Sequence, residues 1–430
     1  MCILLVLLLI ISQAAFAKPV LDIQNWTIKN GTRVLFTEAH ELPMVDILVI
    51  FDAGSARDGK DFGLAAFTST MLDSGTKTLT ADQVADKFEQ IGARFGAYAD
   101  HDTTSVFLRC LTEGKILDNA LQTFVDVLTA PAFSQSEFAR VQKQILVGIQ
   151  EQKQHPAFVA SDEFFKQLYG NFPYGHSSSG TEITVTALKP VDLIKFHQTY
   201  YTAKNAIVVI VGDVTRRQAE NIVSKITSKL PEGAKIAALP EVVKNFGSKT
   251  VHIDFPATQT NVLIGQVGIA RSDKDYLPLY VGNYMLGQAP LISELHKEIR
   301  EKRGLVYGIG SVFSAAVRPG PFIINFSSSN EKSKEAIAIT MQTLKHFVQN
   351  GPTAEHLKTA ENSLASRFPL EFASNAAIKN KLMTIGVYNL PLNYFDTYVN
   401  NLRAITAQQV CGAFKRHIEL NSMLTVTVGK

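Results

Sequence analysis

The order of strand-like and helix-like segments in this chain is written twice, and that repeat limits the fold more than any single motif. In the first half, Trp26 to Glu38 reads as two alternating strands joined at Asn30-Gly31, residues that tolerate the left-handed backbone of a tight hairpin turn. Met44 to Phe51 follows as a more continuous apolar strand. The periodicity then predicts helices over Leu64 to Leu72 and Ala81 to Ile91, and paired strands over Arg94 to Tyr98 and Thr103 to Leu111. Further helices cover Ile116 to Leu128 and Ser134 to Gln154, the second ending at His155-Pro156. A helix from Pro190 through Tyr200 and a buried strand from Ala206 to Val211 close this half.

The second half has strands over Lys249 to Asp254 and Thr260 to Gly268, then helices over Leu277 to Met285 and through Arg300. A strand from Leu305, another over Pro321 to Ser327, and helices over Ser333 to Val348 and Ala354 to Phe368 come next. The final helix, Thr406 to His417, and strand, Leu424 to Val428, mirror those near Tyr200 and Val211. Repetition of element order and length argues for duplication of one α+β unit.

A chain of 430 residues is too long for one core. Pro231, Gly233, Pro240 and Gly247 mark 231–247 as the natural linker between units at 18–230 and 248–430. The net charge of +3 is slight and evenly spread, with no basic run interleaved with aromatics, which argues against nucleic acid or an anionic membrane surface as partner.

Cys2 to Ile11 is continuously apolar and leads to Ala15-Phe16-Ala17, the pattern of a secretory signal cleaved before Lys18, although no Lys or Arg precedes the apolar run. The expectation is a 1–17 signal peptide, export across the inner membrane, and a periplasmic protein. No other segment reaches membrane-spanning length without charges. The two remaining cysteines, Cys110 and Cys411, are expected as small buried apolar residues, and nothing in the sequence brings them together to pair.

Ser293 to Ser311 carries the most chemistry. Leu291, Ile292, Leu295 and Ile299 recur at helical steps, with Glu294, Lys297, Glu298, Glu301 and Lys302 between them. Gly304 stands where the helix stops, after the basic turn of Arg300, Lys302 and Arg303. The helix thus ends by presenting Arg300 and the next strand begins by presenting Tyr307. A guanidinium donates to a peptide carbonyl and a phenol to a developing oxyanion, so the pair has the chemistry of a peptide-bond clamp. On spacing alone, a solvated helix Arg beside a strand aromatic explains the same residues. Gly304, Gly308 and Gly310 lack the Lys-Ser/Thr of a phosphate loop. His176 reads as a loop hydrogen-bonding residue, His197 as a packing or capping residue, and Glu294 and Glu298 as solvated surface.

On the helix from Leu64, the apolar stripe is Leu64, Phe67, Met71 and Leu72, while Ala66, Ser69 and Thr70 share another face. Two His there with a Glu between them would make a zinc site and its general base; Ala, Ser and Thr make neither. The stretch from Gly63 to Thr76 resembles the signature helix of the pitrilysin and insulin-degrading family of zinc peptidases, with its inverted H-x-x-E-H motif. The resemblance extends through Tyr174-Gly175-His176 with Gly180-Thr181-Glu182, Phe196 to Tyr201, and Val209 to Asp213, and spans nearly the whole chain after the signal. It implies that Ala66, Ser69 and Thr70 stand where that family has His, Glu and His, and that Gly148 stands near the third ligand, a Glu.

The same resemblance implies that Arg300 and Tyr307 match the Arg and Tyr with which the family holds the substrate carbonyl over a zinc bound elsewhere. The expected fold is two homologous α+β domains of mainly antiparallel sheets with helices on one face. The implied protein binds no metal of its own and is inactive alone. It works with a homologous zinc-bearing subunit, as heterodimer or heterotetramer, on an extended peptide added to a sheet edge. Two alternatives remain at this level: a scaffold or peptide-binding protein without a part in hydrolysis, and a zinc enzyme with ligands displaced elsewhere.

Overall fold

The computed structural model describes residues 19–243 and 247–430. The signal-like segment at 1–17 lies outside the described residues, as do three positions of the linker. The first half forms one six-stranded sheet from β1 (Gln24–Thr27), β2 (Arg33–Glu38), β3 (Met44–Phe51), β4 (Arg94–Ala99), β5 (Thr104–Leu111) and β6 (Ala206–Gly212). Its order is β1-β2-β6-β3-β5-β4. The second half forms a five-stranded sheet from β7 (Lys249–Asp254), β8 (Gln259–Val267), β9 (Val306–Phe313), β10 (Pro321–Ser329) and β11 (Leu424–Gly429), in the order β7-β11-β8-β10-β9.

The duplication is visible in the topology. Leaving out β1, both sheets place their strands in the same sequence of positions, with the last strand inserted beside the first. That neighbour is parallel in both cases, β2 with β6 and β7 with β11, and every other pair is antiparallel. β4 and β9 are therefore equivalent edge strands.

Helices were expected on one face of each sheet, and both sheets turn out to be covered on two. The physical reason lies in the central strands. All residues of β3 after Met44 are buried, as is β6 apart from Ile207, and a strand buried on both sides needs two covers. One face of each sheet packs on helices of its own half. The other face takes a helix from the opposite half. From the first half, α3 (Pro156–Tyr169) lays Ala160, Phe164 and Leu168 on Val267, Val426 and Val428. From the second, α4 (Asn375–Val387) lays Leu382 and Ile385 on Leu35, Leu48 and Val209. Gly265 in β8 is required by this exchange, because a Cβ there would stand 2.9 Å from Phe164 and 2.0 Å from the Phe322 carbonyl oxygen. The sequence pattern hides α3: Pro156 ends the preceding helix but also opens this one from its first position, where a missing N–H costs nothing. Two further helices carry the degenerate metal-site positions, α1 (Leu64–Thr70), with Thr70 at its end, and α2 (Gln135–Gln152).

Candidate functional site

Leu295 and Ile299 are fully buried and pin the stretch His296–Glu301 to the second core. This stretch is helical but wound more widely than an α-helix, with the Lys302 amide reaching the Lys297 carbonyl at 3.0 Å. Gly304 then takes φ +58°, donates to the Arg300 carbonyl at 2.9 Å and turns the chain into β9. Glu298 accepts from Lys302 and Arg303, which together hold its carboxyl below the usual carboxylate range. Two of the three basic side chains in this turn are thus occupied on the outside.

Among the described residues no carboxylate ties Arg300. Its Nη1 donates to His296 Nε2 at 2.7 Å, which places the imidazole proton on Nδ1. His296 is itself buried, and its Nδ1 faces the Glu301 carboxylate at 3.5 Å without a hydrogen bond. The guanidinium carbon lies 6.0 Å from the centre of the Tyr307 ring. Tyr307 is 89% exposed on the edge strand β9. The β9–β10 register shifts at this point: Ile309 faces Phe326 and Val306 faces Ser328, so Tyr307 and Gly308 together oppose Ser327. Such a bulge re-aims a side chain at a sheet edge. The sequence carried the identity and spacing of Arg300 and Tyr307 but no sign of the bulge or of the His296 tether.

The four degenerate zinc-site positions lie on the other half. α1 packs against β4, α2 and the helix Pro190–Tyr200, and Phe67 stacks on Phe138 with ring centres 4.7 Å apart. On its remaining face Ser69 is buried and Thr70 exposed, and both hydroxyls donate to the Ala66 carbonyl at 2.9 Å. Gly148 on α2 leaves open space where a side chain would be. Ala66, Ser69, Thr70 and Gly148 contain no imidazole, thiolate or carboxylate, so these four positions do not fit a zinc ion. Among the described residues, one trio of suitable ligand types lies close together, Asp273, Asp275 and His417. It is already engaged, because Arg416 makes two 2.8 Å hydrogen bonds to Asp275 and His417 a third at 2.9 Å.

The place of Asp58 in the fold was not visible from sequence. It is 3% exposed and accepts from the Gly63 and Ala65 amides at 2.7 and 2.8 Å, which fixes the start of α1. Burial raises its carboxyl to about 7. The other candidates are structural. His197 meets the Leu128 carbonyl at 2.8 Å and stacks on Tyr201. His176 stacks on Phe62 and meets the Ser177 carbonyl, and burial lowers the pKa of both rings. Glu294 pairs with His356 at 2.9 Å. Cys110 is a free buried thiol pushed up to about 12, and Cys411 is a free, half-buried one.

Comparison with known proteins bears on both halves. Residues 33–182 match the family model described as insulinase (peptidase family M16), and residues 187–364 match the peptidase M16 inactive domain. The crystal structure of a peptidase M16 inactive domain from Pseudomonas fluorescens is similar to this chain at 36% identity and TM-score 0.92, covering 95% of this chain and 98% of that one. A protease from Helicobacter pylori shares the fold at TM-score 0.86 and 20% identity, over 95% of this chain and 99% of that one. Among sequence relatives, a Rickettsia bellii protein named an uncharacterized zinc protease is 27% identical, covering 80% of this chain and 82% of its own. The non-peptidase homolog YmxG of Helicobacter pylori is 26% identical, covering 91% and 90% respectively.

Proposed function

The chain belongs to the insulinase family, peptidase family M16, as a zinc-less member, and we propose that it holds peptide substrates for a homologous subunit that carries the zinc. In this reading the units at 18–230 and 248–430 are the two peptidase-like domains, and the signal-like N-terminus delivers the protein to the periplasm, where it pairs with its partner.

One observation carries the proposal: Tyr307 stands almost fully exposed on a bulged edge strand, beside an arginine with no carboxylate partner among the described residues. An extended peptide pairs with the free edge of β9 through its own backbone. A peptide carbonyl set beside the pair accepts from the Tyr307 hydroxyl and from guanidinium N–H groups that His296 leaves unused. His296 fixes the Arg300 fork before substrate arrives, so less side-chain freedom is lost on binding. As negative charge grows on that oxygen, both donors strengthen, which is stabilisation concentrated in the transition state. The partner's zinc supplies the activated water.

The test mixes the purified chain with a zinc-bearing M16 homologue from the same cell and follows cleavage of a quenched fluorescent peptide. The chain alone is expected to cleave nothing, and its addition to raise the partner's rate. If it leaves that rate unchanged across a range of ratios, the substrate-holding reading fails and a scaffold role takes its place.

A further inference from the structure

The two halves carry the same short motif after equivalent strands. Gly54-Ser55-Ala56-Arg57 follows β3 and Gly268-Ile269-Ala270-Arg271 follows β8. In the first half the arginine is neutralised, since Arg57 makes a two-pronged contact to Asp52 at 2.7 and 2.6 Å. Counting back five residues from Arg271 reaches Gln266, which is spent on the His417 carbonyl and the Glu419 amide. Arg271 is only 9% exposed and has no carboxylate partner among the described residues.

What surrounds Arg271 is a cavity of about 370 Å³ walled by tyrosines. The guanidinium lies 3.6 Å from the Tyr276 ring centre and 5.3 Å from that of Tyr394, and donates to the Tyr394 hydroxyl at 2.9 Å. Glu371, the one acid in the wall, is paired with Lys381. The remaining charge is therefore one buried cation with unused N–H donors. Burial pushes the phenols of Tyr276, Tyr280, Tyr388 and Tyr398 up, Tyr388 to about 12, so these groups stay neutral and do not repel an anion. Aromatic faces offset part of the cost of burying a cation; a carboxylate would offset more.

We propose that this cavity binds a carboxylate borne on an extended peptide, in the place that Asp52 fills in the first half. Phe313, the last residue of β9, lines the cavity, and Tyr307 lies six positions earlier on the same strand. At about 3.3 Å per residue the two are about 20 Å apart along the edge. The favoured substrate therefore carries a carboxylate about six residues from the carbonyl held at Tyr307. This deepens the substrate-holding reading and rests on it for the path of the peptide along β9.

The test measures direct binding to the isolated full chain by fluorescence anisotropy. The probes are N-terminally labelled eight-residue peptides of Thr, Ser and Val ending in Phe: the free acid, its C-terminal amide, and the amide with an internal Glu in place of Ser. The expected result is at least about tenfold tighter binding of the free acid or of the Glu peptide than of the neutral amide. The acid pair separates a terminal from a side-chain carboxylate as the source. Arg271→Gln is expected to bind all three peptides alike, and Arg271→Lys to keep part of the preference. Equal binding of all three by the wild-type chain overturns the proposal, as does an unchanged preference in folded Arg271→Gln. The wild-type comparison decides alone should that variant not fold. Because no partner is present, this result is separate from the stimulation test: the cavity fails on peptide binding, the substrate-holding role on the partner's rate.

Discussion

Arg300 and Tyr307 face one another across 6.0 Å, guanidinium carbon to ring centre, and Arg300 is tethered behind by His296 rather than by an acid. A carbonyl oxygen entering beside them meets two donors of different acidity and rigidity. Tyr307→Phe removes one donor and little else, since its ring is exposed. We expect the partner-dependent cleavage rate to fall roughly ten- to a thousandfold in Tyr307→Phe and in Arg300→Ala, the scale of losing an oxyanion donor. The melting temperature of Tyr307→Phe should be unchanged. Full activity in both variants would show that the pair is an idle inheritance.

His296 gives a second test of the same pair. With His296→Ala, Arg300 loses its tether but keeps its charge, so substrate binding should weaken less than in Arg300→Ala, while the salt dependence of binding is retained. A steady-state comparison of KM and kcat separates the two. Loss equal to that of Arg300→Ala would mean that the imidazole, not the guanidinium, is the working group.

The degenerate metal site makes a prediction by restoration. Ala66→His, Ser69→Glu, Thr70→His and Gly148→Glu together supply the missing donors, and the Gly148 position has room for its side chain. Metal analysis after dialysis is expected to find near-equimolar zinc in the fourfold variant and none retained by the parent. Cleavage by the partner complex should be abolished by a chelator, and restored by zinc through the partner subunit alone. Near-equimolar zinc in the parent would contradict the assignment.

Asp58 predicts a pH dependence of stability. Its carboxyl titrates at about 7 when folded against an ordinary 3.8, because burial disfavours the charged form more than the Gly63 and Ala65 amides favour it. The folded state thus binds more protons than the unfolded state between those values. By linkage, this group's contribution falls as pH rises through that window, at up to about 1.4 kcal/mol per unit. Denaturant melts from pH 4 to 8 should show a fall in wild-type stability with rising pH that is shallower in Asp58→Asn, which lacks the titrating group. Identical pH profiles would exclude it.

The exchanged helix α3 predicts a large packing effect outside the stretch that holds Arg300 and Tyr307. Phe164 is fully buried against the second sheet, and Phe164→Ala is expected to cost about 3–5 kcal/mol. Gly265→Ala should be comparably harmful, since its Cβ would press on the Phe322 carbonyl. Thermal melts of both variants against a surface control check this.

The strands and the duplication could be read from the chain because alternation, the Asn30-Gly31 turn and continuous apolar runs are local signals. The pair proposed as a clamp could be picked out for the same reason: Arg300 and Tyr307 sit within one short stretch. What could not be read depends on distant partners. Nothing in Pro156–Tyr169 says that its apolar face belongs to a sheet formed about a hundred residues later. Asp58 looks like any loop acid until the fold closes over it. The bulge at Tyr307 is a matter of register with β10, and the isolation of Arg271 appears only when Gln266 is seen to be occupied elsewhere.

The crossed helices bear on how this protein could be divided. Severing the backbone in the linker would not free two independent pieces, because each fragment would still wear a helix grown by its counterpart. Expressed as separate polypeptides, the fragments should each be insoluble or molten and should recover order only when mixed. The chain is in that sense a covalently joined pair whose members never learned to stand apart.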